Sequence, residues 1–363
     1  MEQPLRSYFR GSVEDIRALF DAVRARGLEP VGYRVRGDSV YFGPLDSFEL
    51  LPLGLEDSQA PGRFRLYRNP LGIFRHSSSS PKYWLHPPVQ RVLEVSEGFE
   101  VEVVRDGGPP VALFGVKPCD VASLEVLDRI LRNDDSYQGR RSRVGLVVVE
   151  ECTVPGATCF CGSTGTGPSI SAGYDVAYAR LGSGVVIFKY GSKIGLELIE
   201  ELGLARASED EVAEYERTMS IARKSASHLP QLQEVSRALE KSVADEAFWK
   251  EVSSRCVGCA NCNMVCPTCF CTEFVDYLEP SGRARRVRQW FGCLSYTYGQ
   301  VAGMHYRPEL HMRYRHFVLH KFLFYPKQVG LVGCVGCGRC VTWCPVGLDI
   351  REVVSKVVAR YGG

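Results

Sequence analysis

Hydrophobic positions near the start of the chain follow first a helical and then a strand period. Apolar residues at helical spacing over 12–26, with Ser12 before them and Gly27 after them, predict an amphipathic helix. Alternation of apolar and polar residues over 31–42 and 63–67 predicts strands. The first part of the chain is therefore expected to combine helix and sheet.

Three continuous apolar runs follow, at 111–116, 144–149 and 185–188. The first and third are followed by helix-like sequence at 121–131 and 194–202. Runs of this kind between helices are typical of a layered α/β structure whose sheet is largely buried.

The pattern then becomes charged and helical over 209–252, where Leu, Val, Ala and Trp recur at helical spacing. We interpret this segment as a helical connector whose charges form a solvated face. We predict an α+β protein with an N-terminal α/β domain over 1–208, containing a mixed sheet, and a C-terminal helical domain over 253–363. Helices are expected in that second domain at 296–302, 309–322 and 350–361.

Composition narrows the class of protein. The chain has 363 residues, 45% of them hydrophobic, a net charge of +2 and 15 cysteines. The near-neutral charge gives no reason to expect nucleic acid or an anionic membrane as partner. No apolar run approaches the roughly 20 residues of a membrane span, and the N-terminus lacks a secretory signal pattern. An odd number of cysteines, mostly in metal-binding spacing, argues against disulfides, so we expect a cytoplasmic protein.

Two cysteine runs of the form C-x2-C-x2-C-x3-C-P, at 256–267 and 334–345, carry the strongest chemical signal. Bacterial-type ferredoxins use this run to hold [4Fe–4S] clusters, and its fourth cysteine binds the other cluster. The long, partly helical separation of the runs favours a helical two-cluster domain over a compact ferredoxin repeat. A zinc site is the alternative, but zinc uses four ligands in one or two C-x2-C pairs. We therefore predict site 1 (Cys256, Cys259, Cys262 and Cys344) and site 2 (Cys334, Cys337, Cys340 and Cys266).

Other cysteines follow two of the predicted strands. The ends of strands at one edge of an open α/β sheet are where ligands usually bind. We predict a third [4Fe–4S] cluster there, with zinc or buried structural thiols as alternatives. Thr-Cys-Phe-Cys occurs twice, at 158–161 and 268–271, so Cys269, Cys271 and Cys293 are alternative candidates for this metal site. The predicted site 3 consists of Cys119, Cys152, Cys159 and Cys161.

Other motifs are weaker. The Gly-rich segment 162–168 lacks the frame of a P-loop or dinucleotide turn, so no flavin or nicotinamide site is predicted. No catalytic residues are identified. Asp120 is interpreted as a helix cap, with a charge partner or cluster ligand as alternatives. The serines at 77–80 predict a loop, and the basic segment 283–290 is interpreted as surrounding an anionic site rather than binding nucleic acid.

Several motifs together resemble one known family, the iron–sulfur beta subunit of cytoplasmic NADP-linked nickel–iron hydrogenases (sulfhydrogenases). The corresponding iron–sulfur subunit of anaerobic sulfite reductase is a close relative of that family. One departure is visible, since His305-Tyr-Arg307 stands where relatives tend to have Asn-Phe-Arg. The resemblance covers the chain from about Lys82 onward and is carried by Lys117-Pro-Cys-Asp120, Cys152 with Cys159-Phe-Cys161, Gly165-x-Gly-Pro168, Cys266-Pro-Thr-Cys-Phe-Cys271, Trp290-Phe-Gly-Cys293, Arg313-x-Arg315, His320-Lys321-Phe322 and the second cysteine run.

The resemblance implies an electron-transfer subunit rather than a catalytic one. It would pass electrons between a NAD(P)H-reacting flavin subunit and the large and small subunits of a soluble hydrogenase, or the catalytic subunit of a sulfite reductase. Two alternatives of other classes remain open. They are an iron–sulfur redox sensor that uses the basic segment as an interaction surface, and an enzyme that uses the N-terminal cysteines.

Overall fold

The computed structural model describes residues 8–104 and 107–363. Its helices include α1, which begins after Ser12 as predicted, and α6, which confirms the helix expected after the third apolar run. The helices are α1 (Val13–Ala25), α2 (Lys82–Leu85), α3 (Pro118–Ile130), α4 (Asp135–Arg141), α5 (Cys161–Thr164), α6 (Lys193–Glu201), α7 (Glu209–Ser225), α8 (Leu232–Ser242), α9 (Glu246–Val252), α10 (Asn261–Met264), α11 (Leu310–Leu319), α12 (Tyr325–Val329), α13 (Arg339–Thr342) and α14 (Ile350–Tyr361).

The strands form two larger sheets and two hairpins. They are β1 (Phe9–Gly11), β2 (Glu29–Arg36), β3 (Ser39–Pro44), β4 (Leu55–Ala60), β5 (Arg63–Arg68), β6 (Val89–Val95), β7 (Val101–Val103), β8 (Val111–Val116), β9 (Val144–Glu150), β10 (Val176–Arg180), β11 (Val186–Tyr190), β12 (Thr272–Leu278), β13 (Ala284–Trp290), β14 (Gln300–Val301) and β15 (Met304–His305).

The main sheet confirms the predicted mixed α/β layer. Its seven strands have the order β1-β11-β10-β9-β8-β2-β3. The four strands β10, β9, β8 and β2 are parallel, whereas β1, β11 and β3 pair antiparallel. Every residue of β8 is buried, as expected for a central strand with both faces covered. The carboxyl ends of β8 and β9 consequently lie side by side.

The basic segment of the C-terminal half forms strand β13. Strands β12 and β13 pair with each other, and β13 also pairs with β6, giving the order β12-β13-β6-β7. Within this sheet Arg286 forms an exposed ion pair with Asp276, and Arg288 is buried against Gln90. The sheet therefore takes strands from both of the domains predicted above.

The connector predicted over 209–252 is helical and consists of α7, α8 and α9. Its apolar face is not free, since Val235 and Trp249 belong to the same buried core as Val354 of the C-terminal helix. The Trp249 indole also donates a hydrogen bond to the Ser242 carbonyl at 2.9 Å. In the described ranges, no helix is both long and apolar enough to cross a membrane.

One sequence-based expectation fails. Residues 296–302 form turns and the first strand of the β14–β15 hairpin rather than a helix. Positive φ angles of 87° at Gly299 and 86° at Gly303 interrupt the helical backbone there. The serines at 77–80 form a loop as predicted, but it is largely buried, and the Phe42 amide donates to the Ser79 hydroxyl at 2.7 Å.

Candidate iron–sulfur sites

Site 1 is a cavity between the first cysteine run and the end of the second. All of its predicted cysteines line the cavity, together with apolar side chains such as Phe317 and Ile350. Gly258 and Ala260 have φ angles of 68° and 58°, which turn the loop tightly between its cysteines. Cys259 is exposed, so this site lies at the surface of the protein. Sulfur donors around an apolar cavity match the surroundings of a cubane cluster.

Site 2 lies deeper. Three of its cysteines, Cys266, Cys334 and Cys337, are buried. The Lys321 ammonium donates a hydrogen bond to the Cys266 sulfur at 3.1 Å. Lys321 belongs to a π-helical turn, His320–Phe324, and such turns are frequent at functional sites because they redirect one side chain. A buried cation beside the thiols favours the thiolate form that binds iron.

The hydrogen bond to Cys269, together with the Lys321 charge, holds the pKa of Cys266 well below its usual range despite burial. The pKa of Cys340 is raised well above that range by burial, and then by the negative charge of Cys334, Cys266 and Cys337. The site 2 thiols thus feel one another's charge. A cluster that binds them must displace protons, so its binding is expected to be pH-dependent.

Site 3 forms where the sheet ends, as the strand order requires. Cys119 follows β8 and lies in the first turn of α3, while Cys152 follows β9. All of the site 3 cysteines are buried. Burial raises the pKa of Cys159 well above its ordinary value, and the charges of Cys161 and Cys152 raise it further. The structure therefore brings these thiols close together inside the protein.

The loop that carries Cys159 and Cys161 rests on the second cysteine run. The Phe160 amide donates to the Gly336 carbonyl at 2.7 Å, and the Cys159 sulfur lies 3.6 Å from the Cys337 carbonyl oxygen. A Cβ on Gly336 would lie 2.5 Å from the Phe160 carbonyl carbon. Only glycine permits this approach, so the two sites are joined by direct backbone contact.

A buried ion pair fastens the same two loops. The Arg339 guanidinium, between two site 2 cysteines, lies 3.0 Å from the Asp120 carboxylate beside Cys119, and both side chains are 0% exposed. The Tyr33 hydroxyl donates to Asp120 at 2.6 Å and accepts from Arg339 at 2.6 Å. Asp120 also accepts from the Lys117 amide at 3.1 Å. Asp120 is therefore both the predicted helix cap and a charge partner.

A separate cavity is lined by the alternative candidates Cys269, Cys271 and Cys293. Its lining includes none of the site 3 thiols. Asn263 donates to the Cys293 sulfur at 3.3 Å, and Lys321 also lines this cavity. Sequence reasoning treated these cysteines as competitors for site 3, because spacing alone does not show on which side of the clusters they fall.

Sequence reasoning also gave no role to Lys82, whose side chain is buried. Its ammonium lies 3.5 Å from the centre of the Trp290 ring and donates to the Cys269 carbonyl at 3.1 Å. Burial lowers the pKa of Lys82 to about 8, although neighbouring thiols oppose that shift.

In the part of the chain that the structure describes, no three His, Cys, Asp or Glu side chains are grouped for a single metal ion.

Comparison with known proteins identifies the family of the chain. Residues 255–348 match the family model of a 4Fe-4S dicluster domain, which spans both cysteine runs. The chain is 31% identical over 285 residues to sulfhydrogenase 2 subunit beta of Pyrococcus furiosus, an alignment covering 76% of this chain and 82% of that protein. The protein carries 4Fe–4S chemistry of the kind used for electron transfer in hydrogenase-type oxidoreductases. This chain belongs to the family of sulfhydrogenase beta subunits.

Proposed function

We propose that this chain is a cytoplasmic electron-transfer subunit in which site 2 joins site 1 to site 3. The proposal rests on one observation: two cysteines of site 2 lie beside the cysteines of two other sites. Cys340 lines the cavity of site 1. Cys337 contacts Cys159 of site 3 through its carbonyl oxygen. A cluster at site 2 would therefore have a neighbour on either side, as a relay requires.

The ligand sets that we propose are those of the three sites defined above, each holding one [4Fe–4S] cluster. The protein's contribution is to fix the sulfurs, to exclude water and to place charge beside the clusters, which together set their potentials. The Lys321 hydrogen bond to Cys266 would favour the reduced, more negative state of site 2. We also propose that the predicted three-part division of the chain describes its functional units, with site 3 in the N-terminal part.

Exposure suggests where electrons enter or leave. Cys259 and its neighbour Val257 are exposed at site 1, Val257 by 61%, whereas the site 3 cysteines are buried. The exposure of Cys259 places site 1 where a partner can approach a cluster closely. We propose a flavin subunit that reacts with NAD(P)H and the large and small hydrogenase subunits as partners, because the relative from Pyrococcus furiosus is by name one subunit of a sulfhydrogenase.

The test of the relay is iron and acid-labile sulfide analysis of the anaerobic full chain, with EPR of the reduced protein. We expect the Cys159→Ser variant to hold about four irons per chain fewer than wild type, with the site 1 and site 2 signals retained. Equal iron in the two proteins would remove site 3 from the relay.

The partner proposal has its own test. The flavin subunit from the same genome, purified with this chain, should allow NADPH or NADH to reduce the clusters. Neither nucleotide should reduce them in the isolated chain. Reduction of the isolated chain by a nicotinamide nucleotide would contradict the proposed division of labour.

A further inference from the structure

Three thiols outside the relay share one cavity. Cys269 and Cys271 follow the first cysteine run, and Cys293 reaches the same cavity from the segment after β13. All three are free thiols. A Cys-x-Cys pair joined by a distant third cysteine offers three sulfurs to a common centre.

Two buried cations lie beside these thiols. Lys82 is 1% and Lys321 is 3% exposed, and the negative charges that act most strongly on both are those of nearby thiols rather than carboxylates. Lys321 lies 3.6 Å from the Cys269 sulfur, and Lys82 binds the Cys269 carbonyl. Burying a charge without a partner is costly. The Cys266 thiolate balances Lys321, whereas Lys82 donates to the Met264 and Cys269 carbonyls at 3.2 and 3.1 Å, so an anionic group beside Cys269 would be stabilised by both cations.

The cavity also supplies a hydrogen-bond donor that is aimed at sulfur. The Asn263 amide donates to the Cys293 sulfur at 3.3 Å and lies 3.7 Å from the Cys269 sulfur. The amide oxygen in turn accepts from the Leu294 amide at 3.4 Å, which fixes the orientation of the side chain. Asn263 is 4% exposed, so the hydrogen bond to sulfur is made inside the protein. Amide donors to sulfur are a means by which proteins tune iron–sulfur clusters.

We propose that Cys269, Cys271 and Cys293 bind a fourth iron–sulfur cluster through three thiolates, leaving one position for a non-cysteine ligand. This anionic group would balance the buried lysines and receive the Asn263 hydrogen bond. Cys266 connects it to site 2, because the Lys321 ammonium contacts the sulfurs of both Cys266 and Cys269. Site 2 then has three neighbours rather than two.

One wall of this cavity also faces an open basin. His320 and Tyr325 line the three-cysteine cavity on one side and a basin that contains Arg129 and Arg132 on the other. His320 is the imidazole in the cavity lining and is therefore the residue of this chain best placed to supply a nitrogen ligand. The proposal goes beyond the three-site relay and does not depend on it, since it concerns the iron held by a different set of thiols.

The first experiment compares iron, sulfide and EPR signals of the full chain after anaerobic cluster reconstitution. The variants are wild type, Cys271→Ser with Cys293→Ser, Cys159→Ser, and all three substitutions together. We expect the Cys271/Cys293 double variant to lose about four irons, or about three for a three-iron cluster. The loss should add to that of Cys159→Ser. Wild-type iron in the double variant would overturn the proposal and leave the relay untouched, whereas wild-type iron in Cys159→Ser alone would count only against site 3.

A second measurement uses the wild-type chain, so its result does not depend on whether the variants fold. The reconstituted protein is treated with iodoacetamide under native conditions, and each cysteine is assigned by mass spectrometry. We expect Cys269, Cys271 and Cys293 to resist alkylation as strongly as the site 2 cysteines do. The iron is then removed with a chelator and an oxidant, and the protein is reduced again. After this treatment the alkylation rate of these three cysteines should be at least tenfold higher. Equal reactivity of these three thiols before and after iron removal, while site 2 changes, would refute the fourth cluster.

Discussion

The buried ion pair between Arg339 and Asp120 allows a quantitative test of how sites 2 and 3 are joined. Both side chains are 0% exposed, and their charged atoms lie 3.0 Å apart. Replacing Asp120 with Ala would leave the guanidinium buried without its counter-ion, which typically costs about 3–5 kcal/mol. It would also remove the acceptor of the Tyr33 hydroxyl. We expect Asp120→Ala to lower the free energy of unfolding by at least that amount.

Removing both charges should cost less than the two single losses added together. In the double variant Asp120→Ala with Arg339→Met, neither charge is left unpaired. Buried pairs replaced by apolar residues are often nearly neutral. We therefore expect the two substitutions to be strongly coupled in a double-mutant cycle, with the double variant costing less than Asp120→Ala alone.

The assay is urea unfolding under anaerobic conditions, followed by far-UV circular dichroism and by the visible absorbance of the clusters. Glu125→Gln is a matched control, because Glu125 lies on the same helix and forms an exposed ion pair with Arg129, 60% and 46% exposed. An exposed pair of this type contributes about 0.3–0.5 kcal/mol. The reasoning would be refuted if Asp120→Ala cost no more than Glu125→Gln, or if the double variant cost the sum of the two single variants.

Three further predictions follow from single side chains. Lys321→Gln removes a cation beside site 2 and should lower the midpoint potential of the site 2 cluster by on the order of 60 mV, the equivalent of a tenfold change for one electron. The assay is an EPR redox titration, and the control Lys327→Gln, at an exposed residue, should leave that potential unchanged. Val257→Asp should weaken binding of the proposed partner subunit, measured by calorimetry, without loss of iron. Ile221→Asp, also at an exposed residue, should leave that binding unchanged, and equal weakening by both variants would exclude docking at site 1. His86 is buried, and burial lowers its pKa from 6.5 to about 4. Protons then bind the unfolded state better, so stability should fall by about 2 kcal/mol between pH 7.5 and 5, and His86→Phe should remove that part of the acid sensitivity in urea titrations.

The sequence alone determined the parts that depend on local spacing. A tight run of cysteines with a trailing proline has few structural solutions, so residues 256–267 and 334–345 predicted a two-cluster domain before any fold was known. Continuous apolar runs predicted buried strands for the same reason, because burial on both faces leaves no room for alternation. Cys344 and Cys340 both line the site 1 cavity, so the crossed use of Cys344 stays a prediction.

Tertiary structure decided what depends on contacts between distant parts of the chain. The sequence of the basic segment at 283–290 gave no strand prediction, but residues 284–290 form a strand that pairs with β6 and β12. Nothing in their spacing showed that Cys271 and Cys293 meet in one cavity, apart from site 3. The charge of Arg339 gave no sign that it would be fully buried against Asp120, more than two hundred residues away in the chain. Such pairings are set by the packing of whole elements, and local sequence carries no direct record of them.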